Sequence, residues 1–202
     1  MNSPYGYAAN PYAAPQAGFA QVPVGSHGAS LKWLYLGALV GSIVFYGAGV
    51  GLADADDDGA AGLIGGVAIF AAVGFFFARY ILALVWLHKS WSAIPPEFRL
   101  NRSGRVITPG QAVGYMFIPF YNLYWIFAAN LGMCDAIDYA LHASGSHERA
   151  PRGMVMAACV CQVIPYVNIL VAPFLWFFSM LSIDRAKDTM LGALANARPR
   201  YY

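Results

Sequence analysis

Residues 31–87 form the longest apolar stretch of the chain and read LKWLYLGALVGSIVFYGAGVGLADADDDGAAGLIGGVAIFAAVGFFFARYILALVWL. Two apolar runs, at about 31–53 and 60–87, lie on either side of a short turn that holds four aspartates. A helix needs about 20 predominantly apolar residues to cross a hydrocarbon layer of roughly 30 Å. The stretch therefore predicts two membrane-spanning helices joined by an acidic turn.

The composition of the whole chain agrees with a membrane protein. Of its 202 residues, 59% are hydrophobic and only 11% are charged, whereas about 25% are charged in an ordinary soluble domain. Two further apolar runs lie at about 112–133 and 154–183. We therefore expect an all-α integral membrane protein with four transmembrane helices.

The basic residues predict how the chain is oriented, because cytoplasmic loops collect Lys and Arg. With the N-terminus inside, only Arg149 and Arg152 lie on the outer side. The cytoplasmic side then holds Lys32, Lys89, Arg99, Arg102, Arg105, Arg185, Lys187, Arg198 and Arg200. This distribution favours an N-in, C-in orientation. A formal net charge of +2 without a basic cluster argues against a nucleic-acid partner.

The segments outside the predicted spans are short. Residues 1–30 are rich in Pro, Ala and Tyr and nearly uncharged, which predicts a disordered cytoplasmic tail. Residues 31–194 would form the transmembrane domain, and residues 195–202 a short second cytoplasmic tail. Between the second and third spans, Pro95 and Pro96 should end a helix, and Thr108 should cap the next one with Pro109 in its first turn.

Arginines mark the predicted membrane interface. Arg79 follows three phenylalanines within the second apolar run, where a charge at mid-depth would cost about 2.5 kcal/mol or more. We expect it to reach the cytoplasmic headgroups by extending along the helix, although a buried functional position is the alternative. Arg99, Arg102 and Arg105 should contact the same headgroups.

Glycines recur at four-residue spacing in the first two spans. Such small residues allow helix backbones to approach closely in lipid. The pattern predicts a tight pair between the two spans, with a homodimer through the same faces as the alternative. The predicted contact residues are Gly37, Gly41, Gly47, Gly51, Gly62 and Gly66.

The third and fourth spans share a repeated motif, IPFYNL at residues 118–123 and IPYVNI at residues 164–169. A proline inside an apolar helix removes a backbone hydrogen bond, and each motif adds an asparagine three residues later. We expect kinks at Pro119 and Pro165, a further break at Pro173, and hydrogen bonds from Asn122 and Asn168 to freed backbone or to each other. The alternative is a polar transport site at the two asparagines.

The chain carries no catalytic constellation and no motif that binds a cofactor or a metal. His142 and His147 could hold a metal only in a flexible polar loop, and we expect none there. The sequence therefore indicates a non-catalytic protein that acts by packing against lipid, a membrane partner or a second copy of itself.

One region also resembles a known family. The residues WLHK at 86–89, IPP at 94–96 and TPGQAVGYMFIPFYNLYWIF at 108–127 are similar to those of bacterial multi-pass membrane proteins described only as a domain of unknown function. The resemblance covers roughly residues 80–185. It implies a bacterial cytoplasmic-membrane location and several helices, but no assigned activity and no catalytic residues.

Overall fold

The computed structural model describes residues 29–55, 59–101 and 103–197. Every helix or strand element in these ranges is helical. The helices are α1 (Ala29–Ala55), α2 (Ala60–Ala93), α3 (Pro109–Gly114), α4 (Tyr121–Ala143), α5 (Arg152–Val163), α6 (Val167–Leu170) and α7 (Ala172–Asn196), with 3₁₀ turns at Pro96–Phe98 and Tyr115–Phe117. The predictions for the N-terminal tail, for Arg102 and for the last five residues concern positions outside these ranges, apart from residues 29 and 30, which are helical.

Helices α1 and α2 form an antiparallel hairpin. Its closest approach is between Gly49 and Gly65, where an added side chain on Gly49 would lie 2.9 Å from the Gly65 carbonyl oxygen and 2.6 Å from a side-chain carbon of Ile69. Nearer the open end of the hairpin, Phe45 packs on Phe75 at 5.4 Å between ring centres. The predicted tight pairing of the first two helices is therefore observed.

Of the predicted contact glycines, Gly41 does face α2, but the closest approach is made by two glycines outside the predicted set. An added carbon would meet nothing within 4 Å at Gly37, Gly47, Gly51 or Gly66, whereas at Gly41 it would meet the Phe75 ring at 3.2 Å. The crossing of the two helices selects Gly49 and Gly65 instead, because only one face of each helix turns toward its partner. Gly62 is half-buried.

The other end of the molecule is a packed helical base. The open end of the hairpin, with Leu31, Leu39 and Trp86, packs there against α4, α5 and α7. The largest fully buried side chains lie in this base and include Trp91, Ile94, Met133, Ile137, Leu141, Ile183 and Met190. The molecule thus consists of an extended hairpin that rises from a compact base.

Only α1 and α2 are long and apolar enough to cross a membrane, within the part of the chain that the structure describes. The predicted third and fourth spans are broken into pieces. Residues 112–133 are divided among α3, a 3₁₀ turn and α4, and residues 154–183 are divided among α5, α6 and α7. At 12 residues, α5 reaches about 18 Å, which is too short for a bilayer.

Contacts across the base also disagree with four spans. That arrangement places residues 88–110 and 135–152 on opposite sides of the membrane. In the structure Phe98 packs on Tyr139 at 5.7 Å between ring centres. Leu100 and Asn101 line one open groove together with Arg152. The two segments are neighbours, which does not fit an arrangement that separates them by a membrane.

Two local predictions for helix ends are confirmed. Helix α2 ends at Ala93, directly before the Ile-Pro-Pro run. Thr108 caps α3: its hydroxyl accepts the Gln111 N–H at 3.2 Å, the Gln111 side chain accepts the Thr108 N–H at 3.0 Å, and Pro109 lies in the first turn. The helix that begins there is six residues long rather than a membrane span.

Candidate functional site

The repeated Ile-Pro motif forms the same tight turn twice. Phe120 and Tyr166 have φ of 60° and 64°, and no other described non-glycine residue has a positive φ. The N–H of Tyr121 donates to the Pro119 carbonyl at 2.7 Å, and that of Val167 donates to the Pro165 carbonyl at 2.8 Å. These are three-residue turns in a sterically costly conformation, and they interrupt the helices fully rather than kinking them.

The two turns present apolar side chains outward. Phe120 is 89% exposed and Tyr166 is 80% exposed. We call the two segments at 117–124 and 160–174 the apolar rim, because their exposed large side chains include Phe117, Leu123, Tyr124, Ile164, Ile169, Leu170 and Phe174. Pro173 lies in the first turn of α7, so it starts that helix after the break.

Asn122 and Asn168 do not make the predicted side-chain hydrogen bonds. Their backbone N–H groups bond to the carbonyls of Ile118 and Ile164, at 3.0 and 2.9 Å. Both residues are half-buried within the rim, and neither side-chain amide has a hydrogen-bond partner among the described residues. The local turn, rather than an amide pair, satisfies the backbone at each proline.

Arg79 lies inside the protein. Its side chain comes from the middle of α2, the residue is 8% exposed, and the guanidinium stands 4.6 Å above the Phe76 ring. No hydrogen bond or ion pair joins it to any of the described residues. The side chain is therefore covered by protein, with residues of α1, α4, α5 and α7 around the same cavity. Its depth relative to a membrane interface stays a prediction.

Arg79 lines a cavity of about 80 Å³ where the hairpin meets the base. Helices α1, α2, α4, α5 and α7 all contribute to the walls, which are mainly apolar. The polar side chains in the lining are those of Tyr35, Arg79, Tyr80, Asn130 and Gln162, with the indoles of Trp86 and Trp176. Neither Asn122 nor Asn168 reaches this cavity.

The polar neighbours of Arg79 in the cavity are held in place by other contacts. The Tyr35 hydroxyl donates to the Pro173 carbonyl at 3.1 Å. The Trp176 indole N–H donates to Gln162 Oε1 at 2.9 Å, which leaves the Gln162 amide nitrogen without a partner in the described chain. Asn130 donates to the Ile126 carbonyl at 2.8 Å. The cavity is therefore preorganised, with one cation and several fixed polar groups.

A buried ion-pair cluster lies beside this cavity. Asp184 accepts from Lys32 at 3.0 Å, from Lys187 at 2.8 Å and from the Trp86 indole N–H at 3.2 Å. Lys187 also donates to the Ser90 hydroxyl at 2.9 Å. One carboxylate thus joins α1, α2 and α7 at the base of the hairpin.

The charges around Asp184 determine its pKa. Burial acts to raise the pKa of this carboxyl, but the ammonium groups of Lys187 and Lys32 outweigh it and hold the pKa below its ordinary value. Asp184 is therefore ionised at neutral pH. With two lysines to one aspartate, the cluster carries a net positive charge.

Arg99 and Arg105 differ from each other in the structure. Arg99 donates to the carbonyls of Ile94 and Ser92, at 2.7 and 3.2 Å, and so satisfies backbone groups at the end of α2. Burial lowers the pKa of Arg99, and nearby Glu97 opposes that shift. Arg105 is exposed at the surface, where a headgroup contact remains a prediction.

Several residues of the site were missing from the sequence prediction. Asp184 and Lys187 carry a signal, since an i, i+3 pair of opposite charge is typical of a helix face. Tyr35, Asn130 and Gln162 carry none, because each comes from a different helix and only the fold brings them together.

The polar loop after α4 holds no metal-binding group. His142, His147, Asp138 and Glu148 line an open groove there. Across residues 29–55, 59–101 and 103–197, no three His, Cys, Asp or Glu side chains are grouped closely enough to hold a metal ion. Comparison of the chain with protein-family models, curated proteins and solved structures found no match.

Proposed function

We propose that the protein is a non-catalytic integral membrane protein, anchored by the α1–α2 hairpin, that acts through contacts with lipid, a membrane partner or a second copy of itself. The observation that carries this proposal is the exposed apolar surface of the hairpin. In each of its two helices, 17% of the residues in the most apolar window are buried. The buried helix of a soluble core would be mostly covered, and an apolar surface this long is unstable in water.

The apolar rim supports the same location. Lys32 meets Asp184 while Tyr35, one turn further along α1, meets Pro173 near the start of α7. The start of α7, and the rim next to it, therefore point toward the apolar part of the hairpin. We propose that the rim enters the same hydrocarbon layer to a shallow depth, without crossing it. The backbone of each turn bonds largely to itself there, since the N–H groups of residues 121–123 and 167–171 donate to carbonyls of the same segment.

The distribution of charge supports an orientation for this two-span arrangement. The described basic residues other than Arg79 all lie on the base side of the hairpin, and these are Lys32, Lys89, Arg99, Arg105, Arg149, Arg152, Arg185 and Lys187. The tip follows Asp54 and has no base in its sequence. We propose that the base, together with both chain ends, lies in the cytoplasm of a bacterium and that the tip crosses the inner membrane.

Single-cysteine labelling tests this topology. In a variant with Cys134, Cys159 and Cys161 replaced by alanine, cysteine is introduced at Asp54, Ser103 or Ser144. We expect an impermeant reagent to label position 54 from outside, and positions 103 and 144 only after the cells are opened. Labelling of position 144 from outside would restore the four-span arrangement. Release of the chain from membranes by alkaline carbonate would contradict the anchor itself.

A separate experiment tests whether the protein acts through contacts with lipid, a membrane partner or a second copy of itself. The full chain, extracted from its native membrane in a mild detergent, is analysed by native mass spectrometry. We expect bound lipid, a second copy or a membrane protein to accompany it. A monomer without bound lipid or protein would contradict a function that depends on such contacts. The alternative of transport at Asn122 and Asn168 has no support from the cavity, which neither residue lines.

A further inference from the structure

Arg79 is a buried cation for which the described chain supplies no anion. Asp184, the buried carboxylate nearby in the fold, is already bound by two lysines and an indole. A buried guanidinium without a carboxylate is costly, and the face of Phe76 compensates only in part. Its five N–H donors are suited to planar or tetrahedral oxyanions.

The shape of the cavity limits which anion fits. About 80 Å³ is room for a few water molecules or for one small oxyanion group. The remaining walls come from apolar side chains, among them Leu84, Met116 and Met180. A free, fully hydrated ion would lose most of its hydration in such a place.

The cavity also reaches the surface of the hairpin that faces lipid. Tyr80 lines it and is half exposed, and Phe76, beneath the guanidinium, is exposed on the same helix. An apolar chain attached to the oxyanion could therefore leave the cavity beside Tyr80 and continue along the outer face of α2.

We propose that the cavity binds an anionic amphiphile, a carboxylate or phosphate ester that carries an apolar chain, with its head on Arg79. Gln162 is positioned by Trp176 to donate its unused amide N–H to the same head, and the chain lies beside Tyr80. This inference rests on the proposed membrane location, because that is where such molecules are concentrated.

Binding to the purified full-length protein in a nonionic detergent tests the proposal. The probes are oleate, phosphatidylglycerol, zwitterionic phosphatidylcholine and inorganic phosphate, each titrated calorimetrically. We expect saturable binding of oleate or phosphatidylglycerol, and the stronger of the two identifies a carboxylate or a phosphate ester as the head. Phosphatidylcholine and inorganic phosphate should bind far more weakly.

Matched variants separate the site from general charge effects. Arg79→Gln should weaken binding of the anionic amphiphile by about tenfold to a hundredfold, since it removes a charged hydrogen bond. Arg105→Gln removes the same charge from an exposed position and should leave binding unchanged. Ala83→Phe keeps Arg79 but fills the cavity, and it should also reduce binding, which gives a second reading if Arg79→Gln does not fold.

Three results would overturn the proposal: equal binding by the wild type and both cavity variants, equal affinity for inorganic phosphate, or no saturable binding of either anionic amphiphile. Carbonate extraction of the same membranes distinguishes failure of the binding site from failure of the membrane anchor. A chain that stays in the membrane but binds no anionic amphiphile lacks this site while keeping its anchor. A chain released by carbonate lacks the anchor as well.

Discussion

The hairpin and the base both contain many large apolar side chains but place them in opposite ways. Phe70, in the first third of α2, is 81% exposed, and most large apolar residues of the hairpin point outward. In the base, Trp91, Ile137 and Ile183 are fully buried. The base is therefore folded around its own core, whereas the hairpin leaves a large apolar surface that lipid or another protein would cover.

The junction between these two regions is where the polar groups gather. Arg79 and its cavity lie there, and so does the cluster around Asp184. The hydrogen bonds and ion pairs there add directional contacts to the apolar packing between the hairpin and the base. Substitutions confined to the junction, the hairpin or the base test this contrast one region at a time.

The largest effect is expected at the junction. Asp184→Asn leaves Lys32 and Lys187 buried without their carboxylate, and we expect a loss of about 3–5 kcal/mol in the free energy of unfolding. Thermal or denaturant unfolding in detergent measures it. Asp188→Asn, at an exposed position one turn further along α7, is the control and should change little. Equal stability of the two variants would show that the ion pairs do not hold the junction.

The second-largest effect is expected for a charge placed in the hairpin, whose apolar surface is exposed, in contrast to the core of the base. Phe70→Arg places a charge at the middle of the hairpin, and its insertion should become less favourable by about 3 kcal/mol if lipid surrounds it. Val106→Arg changes an exposed apolar residue of the base and should have no such effect. The carbonate-resistant fraction is the measurement. Similar behaviour of both variants would place the two regions in the same solvent.

Within the hairpin, the close approach can be tested without any change in charge. Gly49→Ala brings its new carbon to 2.9 Å from the Gly65 carbonyl oxygen, and we expect about 1–3 kcal/mol of destabilisation. Gly47→Ala meets nothing within 4 Å and should be neutral or slightly stabilising. Unfolding of both variants in detergent gives the comparison. Destabilisation by Gly47→Ala alone would mean that the helices cross on the other face.

The smallest effect is expected in the base. Thr108→Ala removes the hydroxyl that caps α3, at a cost of about 1 kcal/mol. Ser103→Ala, in the preceding turn, is the matched control because the Ser103 side chain is exposed. A difference in melting temperature between the two variants measures the cap. No difference would mean that packing alone holds this short helix.

Sequence reasoning was reliable where the cause is local. The end of α2 before Pro95 and the cap at Thr108 follow from groups within four residues of each other. The positions of the breaks at Pro119 and Pro165 belong to the same class, although each is a full interruption and not the expected kink. The positive φ of Phe120 and Tyr166 does not, because residue preferences disfavour it. It accompanies the tight three-residue turn that each motif forms.

Features that depend on contacts between distant helices could not be predicted from the sequence. Apolar runs at 112–133 and 154–183 look long enough to cross a membrane, but α4 begins at Tyr121 and continues past Asp135 and Asp138 into the base. The choice of Gly49 over Gly47 depends on how two helices cross. The burial of Arg79 depends on three helices that follow it in the chain. None of these relations has a periodic signal.

The bond between Lys32 and Asp184 joins positions 152 residues apart. During synthesis, α1 and α2 leave the ribosome well before α7. In the proposed membrane location, the hairpin would therefore enter the bilayer while Lys32 still has no Asp184 to bind. When α7 docks, Asp184 binds Lys32 and the base is complete. A chain stalled before residue 184 would hold an inserted hairpin on an open base, and assembly would finish only when the last helix docks.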